Sequence, residues 1–523
     1  MTEPAGVVAG GHPATTEAGA EILRAGGNAA DAVVAAAAAS MTAEACLTGL
    51  GAGGFALVRP PDGAPELLDF FVTAPGIGLP AAERAARSHV APYEVPFRST
   101  TQIFNVGPAS CAVPGMPLGL VTLHERHGRL PLPQVLAPAI HLARTGALLV
   151  PQQDYLHEIL AGILTGTPGM RRLFAPHGRL LHHGDRIRVP ELAETLTTLA
   201  EEGAEPFVSG AYAQRITAQM EAAGGLITKP DLAAYRVIVR PPLRVRYRGR
   251  LVLTNPQPSS GGTLIAFALA LLDRLSPAAL PAPQRIEALV RVMEEAETAR
   301  RAGFDDHLHD PAFAQTLLGD SSIDRRVAQL RGDGVLGNTT HVCAVDATGL
   351  AVSMTSSCGS GSGVVIEGTG IIMNNMMGEE DLNPGGLFTL PPGERLTSMM
   401  APTIACGPES RSRDLIALGS AGSERLRSAI VQTLFHLIDC GLGVQAAIDA
   451  DRVHVDRGVV HLEPGIPAEV TAHLQAAGRT VRRWPNQDLY FGGVQAVASV
   501  EDTGGVRFDG GGDPRRGGTA VVV

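Results

Sequence analysis

The alternation of apolar and polar positions is clearest between residues 337 and 357, which read GNTTHVCAVDATGLAVSMTSS. Two alternating runs flank a turn that contains Asp346. This pattern predicts a β-hairpin, because successive side chains of a strand point to opposite faces of a sheet. The first strand is entered through Asn338, Thr339 and Thr340, so the pattern places hydroxyl groups at the start of a strand.

Two other stretches show helical periodicity. Residues 14–40 predict two helices separated by a Gly-Gly pair, with Asn28 as the N-cap of the second helix and Asp31 completing a capping box. Residues 112–146 predict two packed amphipathic helices. Between these stretches the glycine-rich segment TGLGAGGFALV leads into a strand. Phosphate-binding loops normally precede a helix, so this segment does not favour a nucleotide site.

Composition narrows the class of protein. The 523 residues are 45% hydrophobic and 18% charged, as in a globular chain, and the net charge of −10 disfavours nucleic acid as a partner. The six cysteines show no CxxC spacing, so we expect small buried side chains rather than a zinc site or a disulfide framework. The N-terminal residues lack a basic region followed by an apolar core, and the Ala/Val run at 32–39 is too short to span a bilayer. We therefore expect a cytoplasmic protein with no membrane partner.

Thr339 would acquire a distinct chemistry if the backbone were cut before it. The new terminus would carry a nucleophilic hydroxyl and a free amine that serves as its general base. In the intact chain the same hydroxyl can attack the carbonyl of Asn338 and form an ester that water opens, and Gly337 gives the backbone the freedom this needs. A Thr-Thr pair at a strand start is also ordinary β-propensity, so the local pattern leaves both interpretations open.

The segment Thr339-Thr340-His341 resembles the cleavage site of the γ-glutamyltranspeptidase family. Members of that family are N-terminal-nucleophile (Ntn) hydrolases that are self-cleaved before the threonine of a TTH motif. The resemblance covers nearly the whole chain and includes GGNAADA at 26–32, TGLGAGGF at 48–55 and GSAGSERLRS at 419–428. It implies a four-layer αββα sandwich with residues 1–338 as the large subunit and residues 339–523 as the small catalytic subunit. It implies no cofactor and no metal, although the segment GFDDHLHDP contains possible metal ligands.

The resemblance also assigns roles to single residues. Thr339 would be the nucleophile, and Ser357 would be the second hydroxyl that hydrogen-bonds it. The backbone amides of Gly422 and Ser423 would form the oxyanion hole, which is often the largest single catalytic contribution. Ser398, in the segment RLTSMMAPTI, would contact the substrate.

The sequence departs from the family where the acyl group binds. Family members that bind γ-glutamyl groups hold the α-carboxylate with an arginine and the α-amino group with an Asn, a Glu and an Asp. In this chain Pro80 falls at the place of the arginine, Gly359 at the Asn and Met376 at the Glu, while Glu379 is the counterpart of the final acid. A charged head group left without partners in a buried pocket costs several kcal/mol. The cleavage chemistry is therefore expected to be retained while the acyl specificity has changed.

Three functions follow as alternatives. The family default is γ-glutamyltransferase and glutathione hydrolase activity, with a small-molecule amide as substrate and the two subunits of one precursor as partners. The departures favour a hydrolase of the same fold with another acyl group, such as an oxo-acid amide, a glutaryl amide or a natural-product intermediate. The third alternative is an uncleaved scaffold without activity, against which the retention of Thr339, Ser357 and the GSAGS segment argues.

Overall fold

The computed structural model describes residues 4–97, 100–327, 339–408, 413–422, 425–502 and 505–523. Its strands are β1 (Gly6–Gly10), β2 (Gly53–Arg59), β3 (Glu66–Phe70), β4 (Ala91–Phe97), β5 (Thr100–Val106), β6 (Ala147–Leu148), β7 (Arg186–Ile187), β8 (Ile238–Arg240), β9 (Leu243–Tyr247), β10 (Arg250–Thr254), β11 (Thr340–Asp346), β12 (Ala351–Ser357), β13 (Val365–Ile366), β14 (Ile371–Ile372), β15 (Thr403–Cys406), β16 (Leu415–Ala421), β17 (Val453–Asp456), β18 (Val459–Leu462), β19 (Thr480–Arg483), β20 (Gly493–Asp502), β21 (Gly505–Gly512) and β22 (Thr519–Val522).

The α-helices are α1 (Pro13–Arg24), α2 (Ala29–Ala43), α3 (Ala81–Arg87), α4 (Met116–His127), α5 (Leu132–Thr145), α6 (Pro151–Ile159), α7 (Ala161–Thr165), α8 (Pro168–Phe174), α9 (Pro190–Glu202), α10 (Glu205–Val208), α11 (Ala211–Ala222), α12 (Lys229–Ala234), α13 (Ser260–Leu275), α14 (Ala282–Ala299), α15 (Pro311–Leu318), α16 (Asp320–Val327), α17 (Arg425–Ile438), α18 (Val444–Asp449) and α19 (Ala468–Ala476).

Two antiparallel sheets stack at the centre of the molecule. The first has the strand order β22-β1-β11-β12-β2-β3-β8, and the second has the order β21-β20-β16-β15-β10-β9. Strands β11 and β12 of the first sheet pack on β16 of the second. Helices α1, α2 and α4 cover the outer face of the first sheet, and α13, α17 and α18 cover the second. The predicted four-layer αββα sandwich is therefore confirmed.

The predicted hairpin is formed by β11 and β12. Thr340 pairs with Ser356 and Val345 pairs with Ala351 across the two strands. The Asp346 carboxylate accepts the backbone N–H groups of the turn and also that of Ala29 at the start of α2, at 3.0 Å. One side chain thus closes the turn and joins the hairpin to the helix layer.

The predicted helices are also confirmed, although α4 and α5 each pack on α2 rather than mainly on each other. Asn28 caps α2 and forms the capping box with Asp31, and every residue of α2 is buried. Close packing of α1 on α2 requires a glycine at position 19, since a Cβ there would lie 2.9 Å from the carbonyl oxygen of Ala32. The run of small side chains therefore serves to bring α2 close to its neighbours. The last turn of α2 is followed by Glu44, which lies beside the start of β11.

The expectation about cysteines holds only in part. Cys46, Cys111, Cys343 and Cys358 are buried free thiols, whereas Cys406 is half-buried and Cys440 is exposed. Cys440 follows the C-terminal end of α17 in a turn, where no packed layer covers it. Among the described helices, none is both long enough and apolar enough to cross a membrane.

Candidate active site

Thr339 lies at the entrance to β11 between two cavities. It is 3% exposed and contributes to the lining of both. We call them the Glu379 cavity and the Arg516 cavity, after one ionisable residue in each lining. Asn338, on the other side of the expected cleavage point, lies outside the described residues.

The Glu379 cavity has a volume of about 270 Å³. Its described lining consists of Phe71, Thr339, Ser357, Met376, Glu379, Asp381, Leu382, Ser398, Met399, Met400 and Leu426. The cavity thus joins three residues predicted from the sequence to the nucleophile candidate, within walls that are mostly apolar. Phe71, Met399 and Met400 were not predicted as site residues.

Ser357 is brought next to Thr339 by the register of the hairpin. Because Thr340 pairs with Ser356, continuation of the ladder sets Thr339 opposite Ser357. The Ser357 hydroxyl also accepts the backbone N–H of Gly359 at 2.8 Å, which fixes the direction of the hydroxyl at the strand end. The two predicted hydroxyls therefore face the same cavity.

Gly422 lies in the short connection between β16 and α17. It has a φ of +116°, a conformation that favours glycine. Ala421 before it lines the Arg516 cavity and Leu426 after it lines the Glu379 cavity, each together with Thr339. The connection therefore lies beside the nucleophile candidate. Ser423, the second predicted oxyanion donor, lies outside the described residues.

The first residue of α17 anchors this connection. The fully buried guanidinium of Arg425 donates to the carbonyl of Tyr490 at 2.8 Å and lies 5.0 Å from the centre of the Tyr490 ring. A fixed start to a 14-residue helix also fixes the direction of its positive dipole end. Arg425 is part of the predicted GSAGSER segment, but only the packing on Tyr490 assigns it this anchoring position.

Glu379 is buried beside Gly359, a position that has no room for a side chain. Gly359 has a φ of +66°, and a Cβ on it would lie 2.1 Å from Asn375 Oδ1 and 2.2 Å from Glu379 Oε1. The space that an asparagine side chain would fill at position 359 is therefore taken by these two side chains. The glycine at position 359, where the family has an asparagine, therefore makes room for the side chain of Glu379.

The charge state of Glu379 follows from its surroundings. Burial raises its pKa well above the ordinary value, and the nearby carboxyl group of Asp381 raises it further. The Ser360 amide and the Asn375 side chain oppose this shift without cancelling it. One carboxyl oxygen of Glu379, Oε1, makes no hydrogen bond. Glu379 thus holds a proton more firmly than an exposed carboxyl group does.

Ser398 also lines the Glu379 cavity and belongs to a tight turn. Its hydroxyl accepts the backbone N–H of Met400 at 3.0 Å, and its carbonyl accepts the backbone N–H of Ser260 at 2.9 Å. The start of α13 therefore supports the turn from behind. The same turn sets Met399 and Met400 into the cavity wall.

Arg395, which precedes the Ser398 turn in the chain, is committed elsewhere. Arg395 is buried, lies 3.3 Å from the carboxylate of Asp69, and donates to the backbone carbonyl of Phe71 and to the hydroxyl of Tyr235. Pro80, at the expected place of the family arginine, is exposed at the start of α3. No basic side chain occurs among the described residues that line the Glu379 cavity.

A second buried acid lies on the other side of β11. Glu44 accepts hydrogen bonds from the hydroxyls of Thr340 at 2.6 Å and Thr15 at 2.8 Å. Burial raises its pKa, and the two hydroxyls oppose this shift. The next residue, His341, is buried with a pKa lowered to about 3 by burial, and its Nδ1 lies 2.8 Å from the Thr355 hydroxyl. Both groups hold the start of β11 in place through these hydrogen bonds.

Comparison with known proteins gives a consistent result. The family model described as gamma-glutamyltranspeptidase matches residues 15–523. The chain belongs to the gamma-glutamyltranspeptidase family. It is 34% identical to the acylase ACY 1 proenzyme of Pseudomonas sp. (strain SE83), over 95% of this chain and 90% of that protein. It is 29% identical to the glutathione hydrolase proenzyme of Pseudomonas aeruginosa, over 96% of this chain and 92% of that one.

A solved structure extends the likeness to the whole fold. The cephalosporin acylase from Bacillus halodurans superposes with a TM-score of 0.86 at 28% identity, covering 99% of this chain and 96% of that one. The chain is thus an Ntn hydrolase of the gamma-glutamyltranspeptidase family. Relatives named acylase and relatives named glutathione hydrolase have similar sequence identity to this chain. Membership of the family therefore does not identify the acyl group.

Sequence reasoning missed several residues around the site. These are Phe71, Asp381, Glu44 and Arg516, whose neighbours in the chain did carry a signal. Asp381 follows Glu379 in GEEDLNP, and Arg516 lies in GGGDPRRGGTAVVV, which resembles the closing strand of the family. Glu44 precedes the glycine-rich segment that runs through Gly53. What could not be read from the chain was which of these side chains face Thr339.

Proposed function

We propose that this protein is a self-processing amide hydrolase that uses Thr339 as its terminal nucleophile. The precursor is cut between residues 338 and 339, and residues 339–523 become the small catalytic subunit. The preferred acyl group is mostly apolar and carries no free carboxylate. The observation that carries this proposal is the Glu379 cavity, whose described lining holds two carboxyl groups, several apolar side chains and no cation.

The charge balance of the cavity argues against a γ-glutamyl donor. A bound γ-glutamyl group would place its α-carboxylate beside Glu379 and Asp381 with no guanidinium to pair with it. An unpaired buried carboxylate costs several kcal/mol. Phe71, which stacks on Phe55 with ring centres 5.3 Å apart, adds an apolar surface to the cavity. An apolar surface cannot pair with a carboxylate.

Glutathione hydrolase activity remains the second candidate because of the same two acids. A pair of carboxyl groups with one shared proton can release that proton and hold the α-ammonium group of a γ-glutamyl substrate. The relationship to glutathione hydrolase proenzymes supports this candidate. The two proposals therefore differ in whether the preferred acyl group carries a carboxylate, and this difference can be measured.

The reaction we propose has two halves. The Thr339 hydroxyl attacks the amide carbonyl while the free α-amine of Thr339 takes its proton. The amides of Gly422 and Ser423 stabilise the oxyanion, and the C–N bond breaks as the amine passes the proton to the leaving nitrogen. Ser357 orients the nucleophile. Water then attacks the threonyl ester and releases the acid.

Four para-nitroanilides test the acyl preference as a matched set. The γ-glutamyl anilide carries a carboxylate and an ammonium group, the glutaryl anilide only the carboxylate, the γ-aminobutyryl anilide only the ammonium, and the butyryl anilide neither. We expect kcat/KM to be higher for the two substrates without a carboxylate, by about 100-fold, because an unpaired buried carboxylate costs several kcal/mol. Intact mass of the protein, measured first, establishes whether the chain is cut at residue 339.

The same set identifies the other outcomes. Fastest turnover of the γ-glutamyl anilide would establish the glutathione hydrolase alternative and reject our proposal. A single uncut chain that hydrolyses none of the four would support the non-enzymatic alternative.

Glu379 gives a prediction about pH. With the butyryl anilide, kcat/KM should fall at high pH as Glu379 loses its proton, since a charge then appears beside Asp381 in an apolar cavity. The pKa is raised, so the neutral form persists from acid pH up to that higher value and is lost above it. Glu379→Gln keeps a neutral hydrogen-bonding group and should remove this alkaline limb, while the acid limb set by the Thr339 amine remains. An alkaline limb that is unchanged in the variant would contradict the assignment.

A further inference from the structure

The Arg516 cavity lies on the other side of Thr339 and has a volume of about 480 Å³. Its lining includes Thr339, Glu44, Leu156, Gln153 and Arg516. Unlike the Glu379 cavity, this one contains guanidinium groups. Thr339 thus lines one cavity that contains two acids and another that contains two arginines and one acid, Glu44.

The guanidinium of Arg516 has no ion-pair partner among the described residues. Its Nη2 makes one long contact to the carbonyl of Leu489, at 3.4 Å, and its buried Nε makes no hydrogen bond. Burial lowers its pKa to about 10, which leaves it charged at neutral pH. A half-buried cation with an unused hydrogen-bond donor destabilises the protein unless an anion pairs with it.

Glu44 and Asp513 attract the charge of Arg516, but neither forms an ion pair with it among the described residues. Both carboxyl oxygens of Glu44 already accept hydroxyl hydrogen bonds, and burial raises its pKa toward the neutral form. Asp513 is paired with Arg452 at 2.7 Å and with Arg515 at 3.2 Å. The adjacent arginine, Arg515, pairs with Glu463 and Asp513. Arg516 differs from it, because it lines the cavity without an ion pair among the described residues.

We propose that the Arg516 cavity binds the amine half of the substrate and that Arg516 pairs with a carboxylate on that half. This inference rests on the proposed amide hydrolysis. When Thr339 Oγ bonds to the carbonyl carbon and the C–N bond breaks, the acyl group stays on Thr339 and the amine departs with the proton. The acids of the Glu379 cavity disfavour an anionic group there, whereas Arg516 favours one on the side of the departing amine. The predicted substrate class is an amide of an amino acid or an amino-aryl acid.

Two butyryl amides that differ in one group test the proposal. One is the amide of para-aminobenzoate and the other is the amide of aniline, and the readout is the ratio of their kcat/KM values. We expect the wild-type ratio to favour the carboxylated amide by about tenfold or more, as for a partly desolvated charge pair. Arg516→Gln should bring the ratio close to one, and Arg516→Lys should give an intermediate ratio. Arg144→Gln, which removes an exposed arginine paired with Glu194, is the matched control and should keep the wild-type ratio.

Binding of the amine half alone separates this inference from the proposed function. Calorimetry with para-aminobenzoate and with aniline should show binding only of the carboxylated compound to the processed wild-type protein, weakened about tenfold or more in Arg516→Gln. If neither amide is hydrolysed, the proposed function fails, and the binding data still decide the role of Arg516. Equal loss of both amide activities in Arg516→Gln, or equal binding of para-aminobenzoate by the variant and the wild type, would overturn the inference. If Arg516→Gln does not fold, Arg516→Lys and inhibition of the wild type by para-aminobenzoate but not aniline give the same decision.

Discussion

Replacing Thr339 by alanine is expected to give one unbroken chain of 523 residues that hydrolyses none of the four anilides. The hydroxyl that attacks residue 338 and the hydroxyl that attacks the substrate are the same atom in our proposal. Its loss therefore removes both reactions, and kcat should fall by about 10⁴-fold or more, as when a catalytic nucleophile is deleted. Intact mass spectrometry and initial rates measure the two effects separately.

Two variants serve as controls for this result. Thr339→Ser keeps a hydroxyl at the same place and should still produce fragments that begin at residue 339. Thr340→Ala leaves the nucleophile in place and removes only the hydrogen bond to Glu44, so its chain should also be cut. Cleavage of Thr339→Ala at the same bond would show that another group, or a contaminating protease, performs the processing.

Removing the carboxylate of Asp513 is expected to produce the largest loss of stability of any single change considered. Asp513 is completely buried and pairs with Arg452 and Arg515, both of which are also buried. It also accepts the backbone N–H of Val494 at 2.8 Å, which joins β20 to the C-terminal segment. Asp513→Ala leaves two arginines with one remaining acid, Glu463, and should lower the free energy of unfolding by about 3–5 kcal/mol.

Urea unfolding in the Thr339→Ala background is the appropriate measurement, because a single chain then unfolds and no subunit dissociates. Burial alone would raise the pKa of Asp513, but the two guanidinium groups hold it below its ordinary value. The contribution is therefore complete at neutral pH and is lost only under strongly acidic conditions. Glu194→Ala, which breaks an exposed pair with Arg144, is the control and should change stability far less. Equal effects of the two substitutions would show that the buried cluster is not what holds the C-terminal segment.

Local sequence patterns were sufficient for the elements that position Thr339, the proposed nucleophile. The alternation on both sides of Asp346 predicted the hairpin, and the spacing from Asn28 to Asp31 predicted the capped helix behind it. Both signals act over a few residues, because strand alternation and helix capping depend on the nearest neighbours in the chain. The resemblance of TTH and GSAGS to family motifs then identified the αββα sandwich, which the structure confirms.

From the sequence, the acyl specificity could be predicted only as different from that of the family members that bind γ-glutamyl groups. The sequence showed a glycine at position 359 and a methionine at position 376 where the family has polar residues. It did not show that Glu379 and Asn375 fill the space beside Gly359, or that Phe71 lines the same cavity as Glu379. Those contacts join residues far apart in the chain, and their distances depend on how the segment after β12 folds back onto the end of β3.

By itself, then, the sequence determined the hairpin that is entered through Thr339, its neighbouring helices and the family, and it gave the expectation that most of the usual γ-glutamyl ligands are replaced. The tertiary structure alone decided that Thr339 lines two cavities that differ in charge, one with Glu379 and Asp381 and the other with Arg515, Arg516 and Glu44. The reason is physical: periodicity reports which face of an element is buried, whereas the partners of a buried charge are fixed by the stacking of the two sheets and the closure of the C-terminal segment against them.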